Sequence, residues 1–190
     1  MHKPPISVLF WYNYEKRDPL KSLLFFLLLL TGLHALPLTV TTFSSDFEQT
    51  IIDDQNKTLR YHGNFIAKAP AMALWDYREP IVKQVLINGN SVTMVEPDLE
   101  QVIYKRIEKD FDFFGILEKA LLIEKGHYEA SYEYRRFSLY LDGNVIKKIV
   151  YLDDFDNVVT IRFTNTVQNA PIDEKRFSVT VPDFYDVIRE

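Results

Sequence analysis

The sequence has 190 residues, 47% hydrophobic and 14% aromatic, and 26% charged with a net charge of −5, which fits one globular domain rich in β-structure. The acidic balance argues against nucleic acid and anionic membrane surfaces as partners, because both repel a negatively charged protein. Since there is no cysteine, the fold cannot depend on disulfides, and we expect no lipid-modified cysteine anchor.

The first predicted element is a leader. Residues 23–30 are eight consecutive apolar residues that follow Lys21 and precede a short group ending at Ala35. This order predicts a secretory signal peptide over residues 20–35, cleaved after Ala35; the alternative is a buried or membrane-anchoring helix. Residues 1–19 lie before this signal, and we treat them as an artefactual or disordered extension that is absent if translation starts at Leu20.

The first strand is predicted over residues 43–51, where apolar side chains including Phe47 fall on one side of an extended chain. Residues 53–57 follow as a turn, because Asp and Asn side chains suit tight reversals. Residues 61–80 then read as strand, proline corner, strand, proline stop. Pro70 and Pro80 bracket the second run, since proline has no N–H for a sheet ladder. We predict an antiparallel β-corner with one aromatic face.

The remaining chain predicts more strands and one helix. Asn88-Gly89 is a strong hairpin signal between alternating runs. The helix is predicted over residues 111–123, with Asp110 as its N-cap and Gly126 as its stop. Further strands are predicted over residues 83–87, 91–95, 101–106, 127–133, 136–141, 145–152, 158–167 and 176–181.

The residues of the β-corner resemble a known family. The pattern carried by Gly63, Phe65, Lys68, Pro70, Trp75, Tyr77 and Pro80 is similar to the second and third strands of the outer-membrane lipoprotein carrier proteins, the LolA family. Residues 43–51 resemble that family's first strand, and residues 177–187 resemble its closing strand. The resemblance runs from about Phe43 to the C-terminus, and we assign residues 36–190 to one lipoprotein-carrier domain.

The number of strands and the single helix predict the same architecture that the resemblance implies. A sheet this large must curl or split, and the apolar face of the helix needs a surface to pack on. We therefore expect a mainly β fold: an incomplete, unclosed antiparallel β-barrel of about 10–11 strands, with a helix lid over a hydrophobic cavity.

Parity along the strands selects the residues expected to line this cavity, each of which could equally be ordinary core. The cavity set is Phe47, Phe65, Trp75, Tyr77, Val85, Ile87, Met94, Val102, Tyr104, Leu139 and Ile161, and the lid set is Phe113, Phe114, Leu117 and Leu121.

The resemblance implies a periplasmic chaperone. Its ligand would be the acyl chains of lipoproteins, received from an inner-membrane ABC-type releasing complex and delivered to an outer-membrane acceptor, with the carrier a monomer. In the family an arginine often precedes the proline that matches Pro70 and latches the lid. Here that position is Ala69, and a bulky apolar position beyond the proline is Ala73. We therefore expect a lid held by apolar contact alone.

Two other functions stay open: a periplasmic lipid- or lipoprotein-binding sensor of the same fold, and a hydrolase with a hydrophobic substrate. The enzyme hypothesis lacks a nucleophile with a base, and we expect no enzyme, cofactor or metal site. His62 and His127 have no metal-ligand spacing, and the aspartates of residues 153–157 lack the EF-hand order. Asn56-Lys57-Thr58, with Asp54 before it, fits an N-glycosylation triplet in its stricter bacterial form.

Overall fold

The computed structural model describes residues 39–106, 113–132 and 134–190. The predicted leader and the N-cap Asp110 lie outside these residues. The described strands are β1 (Thr42–Ile52), β2 (Thr58–Lys68), β3 (Met72–Glu79), β4 (Lys83–Asn88), β5 (Ser91–Glu96), β6 (Gln101–Arg106), β7 (Leu121–Glu124), β8 (His127–Tyr132), β9 (Arg135–Asp142), β10 (Val145–Leu152), β11 (Val158–Gln168) and β12 (Asp186–Arg189). Helix α1 (Phe113–Glu118) lies between β6 and β7.

All twelve described strands join in one sheet in the order β12-β6-β5-β4-β3-β2-β1-β11-β10-β9-β8-β7. Neighbouring strands are antiparallel, except that β12 runs parallel to β6. The sheet is open, with β12 and β7 at its edges, so the prediction of a mainly β, unclosed antiparallel sheet with one helix is confirmed.

Ten of the eleven predicted strands are present, and their turns have the predicted chemistry. Asn56 takes φ +61° in the β1–β2 turn, and Gly89 takes φ +55° in the β4–β5 hairpin. Asparagine and glycine tolerate this left-handed conformation better than other residues do. Local turn residues therefore fix the register of these hairpins.

The helix is shorter than predicted. It ends at Glu118, and the apolar run that follows forms β7, which pairs with β8. Gly126, expected to stop the helix, instead turns this hairpin at φ +78°. The four consecutive apolar residues from Ala120 to Ile123 fit helical spacing and strand alternation equally well. Pairing with β8 makes the last three of them part of a strand.

The strand predicted over residues 176–181 is not formed. Glu174–Arg176 is a 3₁₀ turn, and Phe177 and Val179 pack against Ile66 and Leu74 instead of joining a ladder. This segment lies on the face of the sheet opposite α1 and leads from β11 to β12. The alternation of apolar residues in this segment thus reflects side-chain packing on the sheet and not strand pairing.

The two faces of the sheet are chemically distinct. The inner face, defined here as the face that α1 packs against, carries the main apolar core, including Phe43, Phe65 and Ile161. The outer face carries charged residues such as Glu48 and Arg162, which face each other across β1 and β11. Within the described residues, helices are too short to cross a bilayer.

Candidate functional site

The inner face gathers apolar side chains from nine neighbouring strands, β5 to β8 in sheet order. Phe65 lies opposite Trp75 across β2 and β3, and Trp75 lies opposite Val85 across β3 and β4. Strand alternation brings these side chains to one side, where they form a continuous surface. Eight of the predicted cavity residues belong to this cluster: Phe47, Phe65, Trp75, Tyr77, Val85, Ile87, Leu139 and Ile161.

Helix α1 packs onto this surface through buried side chains, among them the predicted lid residues Phe113, Phe114 and Leu117. The Phe113 ring lies 5.0 Å from the Phe43 ring and 5.3 Å from the Phe65 ring, measured between centroids. These are ordinary packing distances for aromatic pairs. Phe113 therefore packs directly on the sheet through the rings of Phe43 and Phe65.

Three predicted cavity residues are not part of the inner apolar cluster. Met94 faces Val85 and so lies on the inner face, but it is only half-buried at the edge of the cluster. Val102 and Tyr104 lie on the outer face, because the residues they pair with on β5 point away from α1. A 3₁₀ turn with Glu100 in the left-handed conformation precedes β6, and parity cannot be counted through such a turn.

The predicted lid residue Leu121 is also misplaced. It belongs to β7, pairs with Glu129 on the outer face and is 39% exposed. Its neighbour Leu122 pairs with Tyr128, which is part of the inner cluster. The helix that packs on the inner face therefore ends at Glu118, and two residues separate it from the edge strand β7.

The inner face also holds polar groups near the β1–β2 turn. The Tyr77 hydroxyl donates a hydrogen bond of 2.9 Å to Gln49 Oε1. Burial, followed by the nearby phenols of Tyr151 and Tyr61, raises the pKa of Tyr77. Burial likewise raises the pKa of Tyr151 to about 12. These hydroxyls thus stay neutral at ordinary pH and give the apolar surface a small polar end.

Parity counting missed several central members of the cluster. Phe43, Phe137, Ile149 and Phe163 are all at most 3% exposed. Phe43 shares the face of Phe47 by alternation, a signal that the sequence does carry. Phe163 shares the face of Ile161 by the same alternation, since the two pair with Phe47 and Gln49 in regular register.

The described grooves include several that lie on or beside the outer face and are lined with charge. One of about 560 Å³ is bounded by Glu48, His62, Arg78 and Arg162, among others. His62 and His127 lie on different strands of this face, and no metal-binding cluster occurs in residues 39–106, 113–132 or 134–190. The inner face is therefore the more apolar of the two surfaces.

The latch position is apolar in the structure as well. Ala69 packs against the inner cluster, and its backbone amide donates to the carbonyl of Thr41 at 2.8 Å. Ala73 is buried on the inner face opposite Ala67. Neither side chain has a polar group, so neither can hold α1 by a side-chain hydrogen bond.

Comparison with known proteins places this sheet in a family. Residues 38–113, which span β1 to β6, match the model of the outer membrane lipoprotein carrier protein LolA. An outer-membrane lipoprotein carrier protein of Campylobacter jejuni is 38% identical over 89% of this chain and 99% of its own length. The chain belongs to the LolA family. A second LolA-family relative, from Helicobacter hepaticus, is 30% identical over 77% of this chain and 83% of its own length.

A solved LolA superfamily protein from Nitrosomonas europaea aligns with 76% of this chain and 93% of its own, at 10% identity and a TM-score of 0.44. The segment matched by the LolA model contains Phe47, Phe65 and Trp75, so it includes the aromatic centre of the inner face. Strands β7 to β12 lie beyond that segment.

Proposed function

We propose that this LolA-family protein carries the acyl chains of lipoproteins across the periplasm, from the inner to the outer membrane. The observation that carries the proposal is the inner face, a continuous apolar surface closed by one short helix. The relatives named as lipoprotein carriers support the same cargo. The predicted leader over residues 20–35 would direct export, and the protein would act as a monomer.

Binding would require α1 to leave the inner face. Its four buried side chains contribute roughly 6–12 kcal/mol, at about 1.5–3 kcal/mol for each. An acyl chain of about sixteen carbons gains on the order of 10 kcal/mol when it is buried, at about 0.8 kcal/mol per methylene. The helix and an acyl chain would thus compete on nearly equal terms, which favours a carrier that both loads and releases.

The partners are those that the family resemblance implies. Removing an acyl chain from a bilayer opposes loading by about the same 10 kcal/mol, so loading needs a source of energy, which an inner-membrane ABC-type complex would supply. Delivery would need an outer-membrane acceptor that binds the chain more tightly than the inner face does.

The lid would be loosely held, because Ala69 offers no polar latch. Hydrogen exchange on the apo protein tests this: amides of residues 113–118 should exchange well before those of β1 and β2. Protection of the helix equal to that of the central strands would contradict a loose lid.

Binding is tested with a synthetic triacylated lipopeptide as probe. In a protein that begins after Ala35, Trp75 is the sole tryptophan and reports on the inner face. Val85→Lys places a charge on this face and should weaken probe binding at least about tenfold, a loss of about 1.4 kcal/mol. The matched control is Gln84→Lys, one residue earlier and on the outer face, which should bind as the parent does.

Two results would overturn the proposal. The parent protein could fail to bind the lipopeptide, or the two lysine variants could bind it equally well while both remain folded. Transport is tested separately by depletion in cells, where lipoproteins of several kinds should accumulate in the inner membrane.

A further inference from the structure

The β1–β2 turn carries a motif that acyl binding does not use. Residues 54–58 read Asp-Gln-Asn-Lys-Thr, an Asn-x-Thr triplet with an acid two residues before the asparagine. This is the single Asn-x-Ser/Thr triplet among the 190 residues. Such triplets are acceptors for N-linked glycans when they lie on the surface of an exported protein.

The structure presents the whole motif to solvent. All five residues from Asp54 to Thr58 are exposed, and Asn56 stands at the tip of the turn with φ +61°. Among the described residues, the Asn56 side-chain amide has no hydrogen-bond partner. A transferase that needs this amide nitrogen would therefore break no native side-chain contact to reach it.

Asp53 holds the turn from its base. Its carboxylate accepts hydrogen bonds from the backbone amides of Gln55, at 3.0 Å, and Lys57, at 2.8 Å. Its carbonyl accepts from the backbone amide of Asn56 at 3.0 Å. The anchoring residue lies outside the five-residue motif, whose last residue, Thr58, is the first of β2 and pairs with Ile52.

The neighbouring β10–β11 hairpin repeats the same turn. There the Asp153 carboxylate accepts from the amides of Phe155 and Asn157, and Asp156 occupies the tip at φ +59°. Strands β1 and β11 are adjacent, so both tips lie at one end of the sheet. Asp156 thus takes the structural place of Asn56 without being an acceptor, which provides a control within the same protein.

We propose that Asn56 is a site of N-linked glycosylation. The co-reactant is an oligosaccharide joined to a polyprenyl pyrophosphate. A bond forms between Asn56 Nδ2 and the anomeric carbon, and the bond from that carbon to the pyrophosphate oxygen breaks. The pyrophosphate leaves with the electron pair, and the proton from Nδ2 passes to a base of the transferase. The acid at Asp54 and the hydroxyl of Thr58 are the groups by which the acceptor is recognised.

The glycan would not obstruct the inner face. The motif begins beyond Ile52, the last residue of β1, so the sugar projects past the strand ends. The proposal needs export of the chain but not acyl binding, and failure of one leaves the other standing.

The full chain with its leader is produced in bacteria that contain an oligosaccharyltransferase, its lipid-linked glycan and a reporter protein known to be modified. Intact mass should show one added glycan, and the glycopeptide should contain Asn56. Asn56→Gln and Thr58→Ala should abolish the addition, whereas Thr58→Ser should retain it. The double variant D156N/V158T builds Asp-Phe-Asn-Asn-Thr in the second turn and should carry two glycans.

Lack of modification at Asn56 while the reporter is modified would overturn the proposal. So would modification of the second turn alone in the double variant, because the geometry would then be competent and Asn56 still not used. Persistent modification of Thr58→Ala would show that the triplet is not what is recognised. Lipopeptide binding by Asn56→Gln should equal that of the parent.

Discussion

On strands β1 to β3, residues that are adjacent in sequence lie in opposite environments. Phe47 and Trp75 are at most 7% exposed on the inner face, whereas their neighbours Glu48 and Asp76 point outward, each near an arginine. These residues belong to the same sheet, so the neighbours differ in side-chain burial and charge and not in backbone structure. Stability should accordingly be concentrated on the inner face.

The ion pairs of the outer face are weak by comparison. Glu48 lies 3.8 Å from Arg60 and 3.6 Å from Arg162, and both arginine side chains are more than half exposed. Exposed pairs of this kind contribute about 0–1 kcal/mol each. Substitutions on the two faces should therefore differ severalfold in their effect on unfolding.

The largest effect is expected at Gly63, which lies on the inner face opposite Phe47. A Cβ there would stand 2.1 Å from the Asp76 carbonyl oxygen and 2.9 Å from the Phe47 ring. Gly63→Val should cost more than about 5 kcal/mol and leave little folded protein in urea melts. Gly143→Ala is the control: φ is +57° in open space, so about 1–2 kcal/mol is expected. Similar urea midpoints for both variants would show that the close approach at Gly63 does not matter.

Phe65→Ala should have the next largest effect. This side chain is fully buried, stacked on Trp75 at 4.0 Å and in contact with Phe113 of the helix. Its truncation should cost about 3–5 kcal/mol, because the sheet cannot collapse into the space. Val167→Ala, 52% exposed, should stay within about 0.5 kcal/mol. Equal losses of unfolding free energy would remove the distinction between core and surface positions.

Much of this contrast can be predicted from the sequence because it is encoded locally. Alternation of apolar residues and turn signals such as Asn88-Gly89 place ten strands and the aromatic face of the β2–β3 hairpin. Residues such as Phe65 and Trp75 need nothing beyond their own strand to be assigned to the inner face.

The wrong predictions arise where contacts with residues distant in sequence decide the local structure. Leu121 fits helical spacing, but pairing with β8 draws it into a strand. Phe177 and Val179 alternate like a strand, yet they cover Ile66 and Leu74 because the ladder positions nearby are taken. Which residues of β6 point to the inner face is likewise fixed by the 3₁₀ turn before the strand and not by the sequence pattern of the strand itself.

The packing of α1 on the sheet also depends on residues that are distant in sequence. The number of large side chains is visible in the sequence, but whether they leave a hollow depends on how rings from β1, β2, β11 and α1 meet. Phe43 contacts Phe65, Phe113 and Phe163 at centroid distances of 5.0–5.8 Å. Such packing involves four separate chain segments, so no local pattern predicts it.

A smaller effect is expected at the polar end of the inner face. Tyr77→Phe removes the hydrogen bond to Gln49 and leaves a buried acceptor, so it should cost about 1–3 kcal/mol in urea unfolding. Adding Gln49→Met removes that acceptor and should recover part of the loss, which a double-mutant cycle measures as coupling. Strict additivity of the two substitutions would mean that the hydroxyl and the amide act independently.

The smallest effect is expected in the β10–β11 turn, and it should depend on pH. Burial acts to raise the pKa of Asp153, but hydrogen bonds from the Asn157 side chain and from the backbone amides of Phe155 and Asn157, with the Arg135 charge, outweigh it and hold the pKa below its ordinary value. A lowered folded pKa stabilises the protein above the ordinary value of about 3.9, and this contribution is lost as pH falls through the folded pKa. Asp153→Ala should therefore cost about 1 kcal/mol at neutral pH, and the difference from the parent should shrink as the pH falls through the folded pKa of Asp153. A difference that stays constant as the pH is lowered would mean that the ionised carboxylate does not hold the turn.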